Sequence, residues 1–393
     1  MIKKISIATT LACASASYAD DTQTIRIATF NVSMEALNYV PYERGVSPSV
    51  NGDELINALN NNHQQIKNIA EIIQRVQPDI LLLNEFDGGD KNKGALKLFQ
   101  KAYLEVSQNK QAIAKYKYAY QGDVNTGVLL KNDSNGDGKV SRPSDTHGFG
   151  YFPGHFGMAL LSKYPIDVDA IRTFQMFKWK DMPNALKPFD PETNKPWYSA
   201  EAWNEMRLSS KSHWDIPVSV AGKQVHVLAS HPTPPVFDGK EDRNGKRNHD
   251  ELKFWGDYIT QGKSDYIYDD AGIKGGLGNS VPFVFLGDLN ASTTDGDAIV
   301  DGIASITKHE NVIDTVPSSK AAKLHSPDNK NGASHTAHWR MRADYVLPSK
   351  SGWEVVDSGV FWPQEGDETY RLIKNRQASS DHRLVWVDLK ISK

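Results

Sequence analysis

Five short apolar runs in this sequence end in, or are introduced by, side chains that can ligate a metal ion or move a proton. "TIRIATFN" closes on Asn31, "DILLLNEF" carries Glu85, and "VHVLASHP" runs into His231. "PFVFLGDLN" delivers Asp288 and Asn290, while Asp381 and His382 stand just before the last run, "RLVWVDLK". Taken singly, each is an ordinary turn residue or surface acid after a strand. If the runs pack side by side, their ends bring acids, amides and imidazoles into one cleft. That assembly resembles a hydrolytic site built around a hard metal ion.

The elements that must hold these groups follow from the same pattern. With "MALLSKYPI" and "ADYVLPS", the runs read as buried strands. Between the first two lies "QQIKNIAEIIQRVQPD", where Ile66, Ile69, Ile72, Ile73 and Val76 share one helical face and Pro78 restarts the chain as a strand. Strands alternating with helical segments predict an α/β architecture, with helices covering a sheet core. Segments near 87–155, 175–214 and 236–280 read as long insertions, the kind of loop that carries function on a rigid scaffold. No repeat or clear linker divides the chain, so residues 20–393 are expected to form a single domain.

"MIKKISIATTLACASASYA" has a basic start, an apolar run and small residues at Ser17 and Ala19, which predicts an export signal peptide over residues 1–19. A lipoprotein reading around Cys13 is the alternative to cleavage after Ala19. Cys13 is the only cysteine, so a chain beginning at Asp20 has neither a disulfide scaffold nor a thiol nucleophile. Loss of Lys3 and Lys4 takes the formal charge from −3 to about −5. This near-balance gives no sign of a large basic nucleic-acid footprint. No later apolar run is long enough to span a bilayer, which predicts no stable membrane insertion.

In their joint order, "IATFNV", "PDILLLNEFD", "GMALLSKYPI", "VFLGDLNA", "RADYVLPS" and "SSDHRLVWVDL" resemble the endonuclease/exonuclease/phosphatase superfamily over residues 25–389. The resemblance implies a four-layer α/β sandwich, two mixed β-sheets packed face to face with helices outside, and metal-dependent hydrolysis of phosphate esters. It implies Glu85 as the principal metal ligand with Asn31 and Asp381 nearby, oxygen donors that suit Mg²⁺, Mn²⁺ or Ca²⁺. It further implies Asp288 as the acid that holds or deprotonates the attacking water, and Asn290 as a hydrogen-bond donor to a phosphate oxygen. His382 would contact the scissile phosphate with Asp344 as its buried partner, and His231 would be a general acid for the leaving oxygen.

Beyond these blocks, Arg243, Arg247 and His249 follow His231 closely enough to bind phosphate or shape the pocket. The alternative is a solvated charged loop leading into a helix that begins near Asp250. His335 and His338 could line the cleft or decorate a loop. With His231 and His249 they could join a transition-metal site, although their spacing fits no zinc pattern. The aromatics of 172–203 could dip into a membrane, cover a pocket or pack beneath their own insertion.

"KNDSNGDGKVSRPSD" spaces Asp133, Asn135 and Asp137 like positions one, three and five of a calcium loop, with Gly138 at six and the Lys139 carbonyl at seven. Ser144 occupies position twelve, where a bidentate Glu belongs; Asp145 could replace it one residue later, and Pro143 excludes the following helix. The loop is therefore expected to hold a structural Ca²⁺ rather than act as a sensor. Small organic phosphate esters are the preferred substrates, for a secreted or periplasmic phosphatase or phosphodiesterase. A secreted nuclease acting on DNA or RNA is the alternative, and a non-catalytic binding module would not be expected to retain every matched residue. Oligomeric state is not legible in the sequence.

Overall fold

The computed structural model describes residues 23–41, 47–278 and 280–391. The expected signal peptide lies outside the described residues. The strands, in chain order, are β1 Thr24–Met34, β2 Ile80–Phe86, β3 Tyr118–Tyr120, β4 Met158–Ser162, β5 Arg172–Thr173 and β6 His213–Val220. They continue with β7 Lys223–Ser230, β8 Phe283–Asp288, β9 Asp344–Pro348, β10 Trp353–Val360 and β11 Val385–Ile391. One sheet has the order β10-β11-β1-β2-β4-β3 and the other β5-β6-β7-β8-β9. Each is mixed, because β1–β2 and β7–β8 are parallel while their neighbours are antiparallel.

The sheets meet face to face, β1 and β2 lying against β8 and β9. Strand periodicity divides the second sheet between two cores. Val227, Leu286 and Val346 point into the inter-sheet core with Ile25, Ile27 and Leu82, whereas Leu228, Phe285 and Leu347 face the opposite way. That outer face is covered by α5 (Arg243–Tyr258) and α6 (Val300–Thr307) through Leu252, Trp255, Ile303 and Ile306. Four layers result: helices, sheet, sheet, helices.

On the first sheet the covering helices are α1 (Glu54–Asn60), α2 (Gln64–Val76) and α3 (Ala95–Phe99). The predicted apolar face of α2 is buried along its length. Each fully buried Ile or Val there contributes roughly 1.5–3 kcal/mol, so Ile69→Asp would detach the helix. Gln77 closes α2 in the left-handed conformation, its N–H on the Ile73 carbonyl at 2.8 Å, and Pro78 prevents continuation. Two shorter helices, α4 (Ala200–Glu205) and α7 (Lys320–His325), complete the regular elements.

Helix α5 corrects the expectation of a loop before Asp250: the charged stretch from Arg243 is its first two turns. Beside Leu252 and Trp255, the buried side also carries polar groups bonded to neighbouring loops. Asn248 Nδ2 donates to the Thr233 and Leu289 carbonyls at 2.8 and 3.1 Å, and Glu251 accepts the Ser210 and Thr233 N–H groups at 2.5 and 2.7 Å. Tertiary hydrogen bonds, invisible to periodicity, turn a hydrophilic sequence into a buried helix face. Phe174, Phe177 and Trp179 of the aromatic segment are also fully buried, packed against α5. Among the described residues, no helix is long and apolar enough to cross a membrane.

Candidate active site

Topology explains why residues so distant in sequence meet. Parallel β1 and β2 end at the same edge of their sheet, and antiparallel β11 begins beside the end of β1. In the second sheet, parallel β7 and β8 end together and antiparallel β9 begins there, with Asp344 paired opposite Asp288. Asn31, Glu85, His231, Asp288, Asp344 and His382 therefore converge at one edge of the sandwich. A register shift between Asn31 and Met34, with Ser33 and Glu85 both in the left-handed region (φ 45° and 53°), bends the strand ends there. Such bulges re-aim side chains, and the strain is characteristic of functional positions. Gly287 permits the close approach of β7 and β8, since a Cβ would lie 2.0 Å from the Ser230 carbonyl oxygen.

Asp288 is the hub. Its Oδ2 accepts from Asn31 Nδ2 at 3.0 Å and lies 3.4 Å from Nε2 of both His231 and His382. Its Oδ1 accepts the Asn290 N–H at 3.1 Å. Burial pushes the Asp288 carboxyl up, and His382 opposes that shift. His382 Nδ1 contacts Asp344 Oδ2 at 2.9 Å, and Asp344 also accepts from Thr336 Oγ1 at 2.7 Å. Burial disfavours a charged His382, but Asp344 and Asp288 outweigh it and raise its pKa, which makes it an imidazolium at neutral pH.

His231 is different. Burial, reinforced by Lys211 and His382, holds its pKa well below the usual histidine range, and its buried Nδ1 has no hydrogen-bond partner. The expected general acid is thus a neutral ring without an orienting carboxylate. Asn290, at φ 52°, uses one amide hydrogen on the Pro232 carbonyl at 3.2 Å and keeps a second.

Around Glu85 the charges do not balance. Arg376 lies 3.2 Å from Glu35 and 3.9 Å from Asp381, and it is also the main favourable charge felt by Glu85. Burial raises the Glu85 pKa, and Glu35 and Asp381 add to that rise. Three carboxylates thus surround one guanidinium, although Glu35 is also hydrogen-bonded to His155 at 3.1 Å. The surplus negative charge and the oxygen-rich donor set fit a divalent cation that prefers oxygen. Glu85, His231 and Asp288 offer ligand atoms within 4.8 Å of one another. The neighbouring Asp288, Asp344 and His382 do so as well, but hydrogen bonds already join His382 to Asp344.

A cleft of about 660 Å³ opens over this edge, with Glu85, His231, Lys211 and Arg376 in its lining. Lys211 is buried, and burial lowers its pKa against the pull of Glu251, Glu85 and Asp288. Neither Lys211 nor Arg376 stood out in the sequence. The available signals were a lone cation in "SSKSHW" just before β6, and one six residues ahead of His382.

Other expected site residues divide. Arg243 lines the cleft, bonded to Glu241 and the Phe237 carbonyl. Arg247 reaches its wall, but its guanidinium is committed to the Leu208, Arg207 and His147 carbonyls, which makes it a brace. His249 is corrected: it sits on the far side of α5, bonded to Asp250 at 2.9 Å, in a different pocket with Lys253 and His309. His335 is buried against Ser326, and His338 packs at a tilt against His325, so the four histidines considered for a transition metal do not meet.

In the 133–145 loop, Asp133, Asp137 and Asp145 offer oxygens within 4.8 Å of one another. Asp133 accepts the Asn135, Gly136 and Gly138 N–H groups, and the Lys139 N–H bonds Asp137 Oδ1 at 2.9 Å. Asp145 is buried, accepting from Ser134 and Ser141, while the Ser144 carbonyl faces Ser134 Oγ at 3.5 Å. Ser134, Asn135 and Ser144 also line the cleft.

Fold and site together define an α/β-sandwich hydrolase. Residues 28–382 match the family model for the Endonuclease/Exonuclease/phosphatase family, and the chain belongs to that family of metal-dependent hydrolases. No curated protein matches the sequence. Among solved structures, an endonuclease/exonuclease/phosphatase from Beutenbergia cavernae DSM 12333 is similar at 19% identity. The match covers 94% of this chain and 72% of that one, with a TM-score of 0.51. The human Nocturnin catalytic domain with bound sulfate anion is similar at 15% identity, covering 94% and 95%, with a TM-score of 0.46. A beta toxin mutant from Staphylococcus aureus with bound magnesium ions is similar at 17% identity, covering 94% and 100%, with a TM-score of 0.42.

Proposed function

We propose that the protein is an exported, secreted or periplasmic, phosphoesterase that hydrolyses small organic phosphate mono- or diesters with Mg²⁺, Mn²⁺ or Ca²⁺. The observation that carries this reading is the cleft itself. Its floor presents Glu85, His231, Lys211 and Arg376, with Asp288 3.4 Å from His231 Nε2, and its walls enclose about 660 Å³, the scale of a small-molecule site. Glu85 and Asn31, with Asp381 alongside, would hold the divalent ion, which supplies charge neutralisation at the phosphoryl oxygens.

The chain's own residues do the rest. Asp288 orients the attacking water and takes its proton, a task suited to a carboxyl whose pKa is raised by burial. His382, held as an imidazolium by Asp344, donates from Nε2 to the phosphoryl group, and Asn290 adds its free amide hydrogen. His231 contributes a neutral hydrogen bond in place of the general-acid role that the resemblance implied, and the leaving oxygen takes its proton from solvent water in the open cleft. Lys211 and Arg376 place two further cations against the substrate's negative charge. We assign the Asp133, Asn135, Asp137, Lys139, Ser144 and Asp145 loop to a structural Ca²⁺ that stiffens one cleft wall.

The test is a metal-dependent assay of the purified protein on nitrophenyl phosphate, bis(nitrophenyl) phosphate and plasmid DNA. Turnover of a small ester is expected. Rapid plasmid degradation with neither ester hydrolysed would overturn the reading in favour of the nuclease.

A further inference from the structure

The cleft's rim is built differently from its floor. Glu85, Lys211, His231 and Arg376 come from the strand edge and its flanking loops, and Lys211 and His231 are almost inaccessible. The rim carries three solvent-facing rings, one from each of the segments 87–155, 175–214 and 236–280: Phe149, Trp197 and Phe237, with exposures of 55%, 38% and 87%. Soluble proteins rarely gather large exposed aromatics around the mouth of a cleft unless the surface binds something.

Each of the three residues is anchored, Phe237 through its backbone and the other two through their rings. Phe237 adopts a left-handed φ of 66°, a conformation that costs free energy for a non-glycine residue and persists where surroundings enforce it. Arg243 supplies that enforcement: it donates to the Phe237 carbonyl and lies over the Trp197 ring at 5.3 Å. Phe149 packs edge-on against Tyr151 at 5.9 Å. Its loop is pressed onto the segment carrying Lys211, since a Cβ at Gly148 would lie 1.9 Å from the Ser210 carbonyl oxygen.

We infer that this rim is a stacking site, and that the phosphate ester taken by the cleft carries a planar ring of nucleobase size. The inference rests on the phosphoesterase reading and names its substrate class. The rings and the floor cations line one cleft, so a single ligand can present a planar ring to the first and a phosphate to the second. Aromatic platforms select for planar partners of any sequence or substitution. The Arg243 guanidinium beside Trp197 argues against a quaternary ammonium headgroup, which would meet like charge there. A polyol phosphate would leave the three rings in water.

The experiment compares adenosine 5′-monophosphate with ribose 5-phosphate, both phosphomonoesters at the ribose 5-position that differ at C1 in carrying adenine or a hydroxyl, with glycerophosphocholine as a third substrate. Mg²⁺, Mn²⁺ and Ca²⁺ are supplied in parallel. The expected result is kcat/KM at least about tenfold higher for the nucleotide, expressed mainly in KM. Phe237→Ser and Trp197→Ala should each raise the nucleotide KM several-fold and move the nucleotide-to-ribose-phosphate ratio toward one, and Trp197→Phe should restore most of it. Phe237 is so exposed that its replacement tests binding rather than folding. Equal kcat/KM for nucleotide and ribose phosphate, or preference for glycerophosphocholine, overturns the inference while the phosphoesterase reading stands. Absence of turnover with every ester, including nitrophenyl phosphates, overturns both.

Discussion

Two histidines face the same oxygen of Asp288 at the same distance, 3.4 Å, yet the structure gives them opposite charge states. His382 has Asp344 behind its second nitrogen and is held protonated; His231 has no partner there and has Lys211 nearby, so it stays neutral. Burial is the same for both. What differs is the charge contributed by β9 on one side and by the segment before β6 on the other. In a dry site one neighbouring group decides the protonation state, and an imidazole's role cannot be inferred from its strand-end position alone.

The widest separation between the two should appear on truncation. His382→Ala and Glu85→Ala are expected to lower kcat/KM by about a thousandfold or more, and His231→Ala by about a hundredfold. Each protein should melt within a few degrees of wild type. Equal losses at the two histidines would break the comparison.

A third histidine, His213, supplies a control remote from charge chemistry. It is fully buried with its pKa lowered to about 4 by burial, Nε2 facing the Glu251 carbonyl and Nδ1 facing Ser209 Oγ. The unfolded chain binds this proton near pH 6.5 and the folded one only near 4, so its contribution is complete above pH 6.5 and is lost as pH falls toward 4. The loss amounts to up to about 3 kcal/mol. Denaturant unfolding of His213→Asn across that window should show a shallower acid slope than wild type; an unchanged slope would exclude His213 as its source.

Lys211→Met addresses the cause directly. It should lower kcat/KM about tenfold and move the His231 titration, followed by NMR, to higher pH, with that of His382 nearly unmoved. The smallest effect on chemistry is expected from Asp133→Ala. Ca²⁺-dependent thermal stabilisation should fall by several degrees while turnover at saturating metal changes less than about twofold. A melting response to Ca²⁺ identical to wild type would count against the loop as a cation site.

The seven runs read as strands are strands, because each is a continuous apolar stretch bounded by turn residues. Strands β6 and β10 escaped that reading for physical reasons. β6, "HWDIPVSV", carries Asp215 and Pro217, yet Asp215 is buried on Tyr258 Oη at 2.6 Å and on His226, and no apolar pattern announces such bonds. β10 is an edge strand whose Glu354 and Asp357 face outward, so it lacks a hydrophobic run. In the site, residues on strands or immediately beside them were legible because the sheet fixes their edge. Lys211, Arg376 and the rim aromatics were not, because loops place them through contacts distant in sequence. His249 failed for the reverse reason: a helix turned it to the far side of α5, where sequence proximity to Arg243 and Arg247 means nothing.

Glu251 on α5 grips the backbone of Ser210 and of Thr233, one next to Lys211 and the other two residues past His231. The consequence concerns how this scaffold can change. The rim residues Phe149, Trp197 and Phe237 lie outside this grip, so they form an exchangeable set on a fixed mount. Diversifying those three positions while keeping α5 would retarget the cleft to new organic groups without re-solving the geometry of bond cleavage. Altering Glu251 would spread one substitution across two strand ends at once.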